Sequence, residues 1–330
     1  MNSTVKNLLH FNPKEILSIA DETSFLNHCL AIFKIQYAAN GVYRRYCEAM
    51  NVVPSEITQL HQIPFLPVSF FKSHEVKCQD TAPEYIFYSS GTQNSGRSKH
   101  LIFDLTLYEA SLLHSFRLFY GDPEALILLA VLPSYLDNKD SSLVYMTDVL
   151  IRQTLDERSG FVSAEEALNR IAVPGRTKKI LLVGVSFALM DLAEMQISGF
   201  ENVLVMETGG MKGRRTEIPK QALHDLLKAK LGVAEIHSEY GMTELLSQAY
   251  ATGGLTFRCP PWMKVLFRNV RDPLSVSQSG SGAVNVIDLM NVHTCSFIAT
   301  DDLGQGNCDG FEILGRMDNS EMRGCNLLSF

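Results

Sequence analysis

No CxxC pair and no His/Cys cluster at zinc spacing occurs in the 330 residues, which excludes the common structural zinc modules. The seven cysteines stand singly at 29, 47, 78, 259, 295, 308 and 325. An odd, scattered set fits reduced thiols in a cytoplasmic protein better than a disulfide framework. Long hydrophobic runs are also missing. The longest, Ala125 to Leu132 (ALILLAVL), is far too short to span a bilayer and suits a buried strand. The opening stretch MNSTVKNLLHFNPKE lacks the long apolar segment of a secretory signal, so none is expected. The GxxxxGK[ST] spacing of a Walker loop is absent, as are internal repeats and low-complexity linkers. Positive charge is in deficit: 29 Lys and Arg against 36 Asp and Glu leave a net charge of −7. Binding to nucleic acid through bulk charge is therefore excluded, and any anionic ligand must meet a local positive site.

What is present describes an ordinary globular chain. It is 46% hydrophobic and 20% charged, enough to bury a core without covalent staples. Residues 14 to 50 read as helical, with Phe25, Leu26, Cys29, Leu30 and Phe33 at helical spacing and Gly41 as a break. Pro54, Pro64 and Pro67 punctuate the next segment, and VSFFKSHEV after it looks irregular or edge-like. From Tyr85 onward, short apolar runs at 85–88, 125–132, 179–184 and 202–207 alternate with helix-like stretches near 105–120, 141–156, 186–196 and 219–231. Such alternation predicts an α/β fold with a mostly parallel sheet covered by helices on both faces. After about residue 255 turn residues crowd in, and hairpins including 282–289 and 311–314 predict a β-rich subdomain. The expected organisation is a helix-rich segment at 1–84, an α/β core at 85–255 and a β-rich region with a short tail at 256–330.

Three stretches carry residues suited to chemistry. In YIFYSSGTQNSGRSKH (85–100) an aromatic strand runs into hydroxyls and glycine, followed by Arg97, Lys99 and His100. Glycine lets successive backbone N–H groups converge on an anion, and hydroxyls and cations complete the cradle; a plain turn is the alternative. In SEYGMTE (238–244) a tyrosine, a hydroxyl and a carboxylate follow a strand-like AEIH. A tyrosine face can stack on a purine and a carboxylate can hold a divalent cation near phosphates; the alternative is a turn with Thr243 capping a helix. In FIATDDLG (297–304), followed by FEILGRMDN (311–319), aspartates after a short strand can accept from ribose hydroxyls, or merely form an acidic turn.

In this order, these stretches resemble the loops of the adenylate-forming superfamily. The closer resemblance is to the acyl-protein synthetases, the family of the bacterial bioluminescence fatty-acid reductase synthetase, and next to the phenylacetate–CoA ligases. IPFLPVSFFKSHEV (63–76), LPSYLDNKDSSLVYM (132–146), ETGGMKGRRTEI (207–218), SEYGMTELLSQAY (238–250) and LGRMDNSEMRGCNLL (314–328) carry the narrower match. The resemblance implies ATP and Mg²⁺ as cofactors and assigns roles residue by residue. Ser89, Ser90, Gly91 and Thr92 match the loop that grips the β- and γ-phosphates, with Lys99 adding a charge. Tyr240 matches the aromatic that stacks on adenine, with Gly241 beside it in the same nucleotide-binding turn. Thr243 matches the α-phosphate hydroxyl and Glu244 the magnesium ligand. Asp302 matches the ribose-binding aspartate, Arg316 the arginine of the GR-x-D motif and Asp318 the hinge after it. Gly209 and Gly210 fall where the adenine-facing glycine loop lies.

Two departures from the family pattern stand out. Gln93 and Asn94 replace the threonine and glycine that usually follow Thr92. Only twelve residues follow Asp318, so the mobile C-terminal lid of the large ligases, with its lysine, is expected to be absent. In that short tail the resemblance singles out Cys325 as a thiol that would hold the acyl group as a thioester; a buried structural cysteine is the alternative. Cys259, Cys295 and Cys308 are read as small apolar fillers, and His100 as a helper of the phosphate loop. The function implied is ATP-dependent activation of a carboxylic acid, with a fatty acid first in line, then acyl transfer to Cys325 and on to a partner such as a reductase or carrier protein. A CoA ligase, in which an external thiol replaces Cys325, and a non-catalytic acyl- or nucleotide-binding scaffold are the other readings. No nucleic-acid partner and no membrane span are expected.

Overall fold

The computed structural model describes residues 12–90, 96–133, 140–173, 177–195, 199–209 and 218–317. Two sheets organise them. The first runs in spatial order Gly160–Phe161, Leu126–Val131, Lys179–Val185, Val203–Thr208, Ile236–Tyr240 and Ala249–Ala251. All its neighbours are parallel except the last pair. Residues 126–131 and 180–185 are buried without a break, as expected of strands covered on both faces. Helices Leu105–Tyr120, Ser142–Gln153, Ser186–Ala193 and Lys220–Leu231 supply the cover. The sequence locates these four helices and the strands at 126–131, 179–185 and 203–208 to within a few residues, because each is a hydrophobic run bounded by breakers, but passes over the short strand Gly160–Phe161. Ala164–Ile171 is a further helix that the sequence reading passes over.

Strand Tyr85–Tyr88 departs from expectation. It stays out of the parallel sheet and forms its own antiparallel hairpin with Lys99–Ile102. Its four residues show a mostly half-buried pattern, unlike the continuous burial of a central parallel strand.

The second sheet is antiparallel at its centre: Met263–Arg268 pairs with Gly280–Asp288, which pairs with Phe297–Asn307, which pairs with Gly310–Arg316. The proline-punctuated segment contributes Leu66–Pro67 as a short parallel strand against 298–299, followed by the single helical turn Phe70–Ser73. Asp301 and Asp302 do not sit in a turn, as the sequence suggested. They lie inside an eleven-residue strand whose alternation of glycine and polar residues hid its length.

The N-terminal helices Glu22–Ala39 and Gly41–Ala49 share one hydrophobic core with this second sheet. Gly41 does mark a break, but Asn40 makes it. The Asn40 side chain accepts from the N–H groups of Val42 and Tyr43, capping the second helix. Its amide donates to the Thr294 carbonyl at 2.9 Å. One turn earlier, buried Gln36 donates to the Asn291 carbonyl at 3.0 Å and accepts from Ser296 N–H at 2.9 Å. These bonds fix the 288–296 loop, which in turn holds the candidate site.

Candidate active site

Val185, Thr208 and Glu239 are register neighbours at the carboxyl ends of three parallel strands. The crevice beyond such strand ends is where open α/β sheets bind ligands. Tyr240 follows Glu239, and its hydroxyl donates to Asp302 Oδ2 at 2.9 Å. The other oxygen of Asp302 meets Arg316 Nε at 3.2 Å, a contact set by the register that places Arg316 opposite Asp302. Burial, then the Asp302 charge, hold the Tyr240 phenol well above its ordinary value. Its ring meets Phe311 edge-on, with centroids 5.3 Å apart. The fold thus joins Tyr240, Asp302 and Arg316 from sequence positions up to 76 residues apart.

The segment after Tyr240 is not a capped helix. It is an irregular loop tied down by three buried side chains. His100 Nδ1 donates to the Thr243 carbonyl at 2.7 Å, Asn291 Nδ2 donates to the Glu244 carbonyl at 2.7 Å, and Asp288 Oδ2 accepts from the N–H groups of Leu246 and Ser247. A carbonyl only accepts, so Nδ1 of His100 carries a proton, while Nε2 lies 3.0 Å from both Asn291 Oδ1 and the Thr294 hydroxyl. Burial lowers the imidazole to about 4, so it is neutral near pH 7. His100 therefore turns inward and holds the Thr243 carbonyl.

Glu244 is 4% exposed. Burial raises its pKa, while the Ser98 hydroxyl and the charges of Lys72 and Arg316 pull the other way. Ser98 belongs to the hairpin, so the structure brings the two motifs together. Ser98 N–H donates to Ser89 Oγ at 2.9 Å, and Ser89 N–H donates to the Ser98 carbonyl at 3.1 Å. Arg97 Nε donates to the Ser89 carbonyl at 2.6 Å, and its guanidinium lies 5.1 Å from the Tyr88 ring centroid. Ser90 and Lys99 are exposed, with Lys99 opposite Tyr88 in register. Gly91 and Thr92, with Gln93 and Asn94, lie outside the described residues, as do Gly210, Asp318 and Cys325. Gly209 has φ +67°, a left-handed conformation that favours glycine, and its carbonyl accepts from Ser186 Oγ at 3.2 Å. At Gly241 a Cβ would meet Glu239 Oε1, the tip of a buried side chain that would have to shift. Cys295 is fully buried, and burial raises the half-buried Cys259 thiol to about 12. Both fit the filler reading; Cys308, exposed between two strands, does not.

Two carboxylates of this crevice escaped the sequence reading. Glu207, 1% exposed, accepts from Ser186 and Ser238 hydroxyls at 3.1 and 2.7 Å and from Lys220 Nζ at 2.7 Å. Burial pushes it up, but His224, Lys220 and Ser238 outweigh that and hold it at about 2. Glu239, 7% exposed, accepts from the Thr208 hydroxyl. Burial, with the Glu207 charge adding to it, raises Glu239 to about 7. An acidic residue inside a strand-like apolar run was the available signal at both positions, and likewise at Asp288.

No protein-family model matches the sequence, and no curated protein matches it. Solved structures do. An open conformation of 2-hydroxyisobutyryl-CoA ligase, in complex with 2-HIB-AMP and CoA, is 13% identical over 90% of this chain and 70% of its own, with a TM-score of 0.68. The same ligase in its thioesterification state gives 0.69 over 90% and 68%. ATP-bound MatB from Rhodopseudomonas palustris is 18% identical with a TM-score of 0.52, over 72% of this chain and 49% of its own. The chain thus spans about half the length of MatB. At these identities the likeness is one of fold, and the fold is that of the adenylate-forming enzymes.

Proposed function

We propose that the protein activates a carboxylic acid with ATP, forming an acyl-adenylate and pyrophosphate, and passes the acyl group to a thiol. One observation carries the reading: Tyr240, Thr243, Glu244, Asp302, Arg316 and the bonded pair Ser89 and Ser98 converge at the strand ends of an adenylate-forming fold. In this reading the Tyr240 ring and Asp302 bind the nucleoside, Asp302 accepting from ribose hydroxyls. Ser89, Ser90, Gly91, Thr92 and Lys99 hold the outer phosphates, and Gly209 with Gly210 borders the adenine. Thr243 donates to the α-phosphate, held in place by His100. The reaction is in-line displacement at phosphorus: a carboxylate oxygen bonds to the α-phosphorus as the bond to the pyrophosphate oxygen breaks. The residues' work is to position groups and neutralise charge.

Among the described residues no group of three or more His, Cys, Asp or Glu side chains is placed to hold a metal ion. Mg²⁺ is usually bound through one or two carboxylates plus substrate phosphates, and Glu244, buried and penalised for its charge, fits that part. When bound there, Mg²⁺ would neutralise phosphate charge.

The acceptor has two candidates. The resemblance favours Cys325, with a partner protein as the next recipient. The second reading, an external thiol such as CoA, draws on the CoA in the 2-hydroxyisobutyryl-CoA ligase complexes. Among the described residues no helix is long and apolar enough to cross a membrane. Intact-protein mass spectrometry after incubation with ATP and an activated acid separates the acceptors. An acyl adduct lost in Cys325→Ser supports the internal thiol; pyrophosphate release with no adduct supports the external one.

A further inference from the structure

Three buried side-chain oxygens lack a hydrogen-bond partner among the described residues: Ser115 Oγ, Gln248 Oε1 and Tyr250 OH. They do not scatter. Tyr250 lies directly opposite Glu239 in the antiparallel pair, so both side chains leave the sheet on one face. On that face helix Leu105–Tyr120 packs, with Phe116, Phe119 and Tyr120 around the Tyr250 ring. Ser115 stands next to Phe116 on this helix, one turn beyond Ser111, whose hydroxyl meets Ser247 at 2.9 Å. Gln248 follows Ser247, and its Cγ lies beside Gly241 together with the Glu239 carboxylate. All three residues are at most 4% exposed. Buried polar groups are ordinarily paired, and leaving them unpaired is costly. Tyr250 and Gln248 thus stand beside the Glu239 carboxylate, whose hydroxyl donor among the described residues is Thr208, and with Ser115 on the helix packed over that face they form an incomplete polar network.

We propose that this network receives a hydrogen-bond-donating substituent, a hydroxyl or an ammonium, of the acid being activated, so that the substrate is a hydroxy- or amino-substituted acid and not a plain fatty acid. The inference rests on the adenylation reading above. Gln248 Oε1, the Glu239 carboxylate and the oxygen of the Tyr250 hydroxyl accept from an ammonium; a hydroxyl substituent donates to Gln248 Oε1 or Glu239 and accepts from the Tyr250 O–H. Glu239 and its neighbours act as specificity residues here and take no part in the displacement at phosphorus.

The test is acid-dependent ATP–pyrophosphate exchange with matched sets: octanoate, 8-hydroxyoctanoate and 8-aminooctanoate, and benzoate, 3-hydroxybenzoate and 3-aminobenzoate. A site built to pair a donor rejects the analogue lacking it strongly, so a substituted acid should exceed its parent in kcat/KM by about a hundredfold. Tyr250→Phe and Gln248→Leu should shrink that preference by about tenfold, chiefly through KM. Without ligand, Tyr250→Phe should unfold at or above the wild-type temperature, because it removes an unpaired group. Parent acids exchanging as well as their substituted partners would overturn the inference and leave adenylation standing. A lowered unfolding temperature in Tyr250→Phe would also overturn it, by showing that the hydroxyl is already satisfied. Exchange with none of the acids would remove the adenylation reading itself, and this inference with it.

Discussion

Glu207 and Glu239 end adjacent strands of one sheet, both almost wholly buried, yet the fold gives them opposite chemistry. Glu207 faces helix Lys220–Leu231, which supplies Lys220 and His224, while Ser186 and Ser238 complete its shell. Glu239 projects from the opposite face toward Tyr250, Gln248 and Thr208, where no cation among the described residues forms an ion pair with it. The side of the sheet decides the outcome, since strand neighbours alternate faces. A buried carboxylate with a matched cation is structural; one left at about 7 beside unpaired oxygens is poised for something the protein itself does not supply.

The largest test of that contrast is Glu207→Leu. It strands the Ser186 and Ser238 hydroxyls and removes the partner of Lys220, so unfolding in urea should show a loss of about 3 kcal/mol, toward the lower end for breaking a buried pair because Lys220 is partly exposed. Glu244→Gln comes next. It keeps the shape of a third buried carboxylate but removes its charge, and exchange activity should fall about a hundredfold with the fold intact. Unchanged exchange in a folded variant would end the metal-holding role of Glu244.

The pH dependence of stability separates the pair by sign. Glu207 has a depressed folded value, about 2 against an ordinary 4.5, so its contribution is present above 4.5 and disappears as pH falls toward 2. Glu239 has a raised value, about 7 against 4.5, so the folded state holds the extra proton and stability declines as pH rises from 4.5 to 7. Glu239→Gln should flatten the stability profile across that upper window and leave the acid limb alone. A profile identical to wild type between 4.5 and 7 would show that Glu239 ionises normally. The smallest effect is expected at Tyr240→Phe, which loses one hydrogen bond to Asp302: ATP affinity should weaken only a few-fold, about 1 kcal/mol, by calorimetric titration.

Much of the fold was legible because hydrophobic runs and breakers coincide with elements. ALILLAVL is a central strand, and 105–120 is a helix between the bounds its pattern gives. The Tyr85–Tyr88 hairpin was misplaced because a short aromatic strand carries no mark of which sheet it joins. The Asp301–Asp302 strand was read as a turn because glycines at 304 and 306 resemble breakers, whereas here close cross-strand backbone packing requires them. Two motif residues named from the sequence, Tyr240 and Asp302, do touch directly. The groups that hold the site, His100, Asp288 and Asn291, were not legible as such, since their partners are backbone atoms of the 243–247 loop, a pairing that only the folded chain creates.

The account turns on whether the Tyr240–Thr243–Asp302 crevice activates carboxylates. Exchange of labelled pyrophosphate into ATP measures that step without reference to the final acceptor. The account predicts exchange that requires an added carboxylic acid and Mg²⁺ and falls about a hundredfold in Glu244→Gln. ATP binding without any acid-dependent exchange, across aliphatic, aromatic, hydroxylated and aminated acids, would contradict it and leave the non-catalytic scaffold as the reading of this fold.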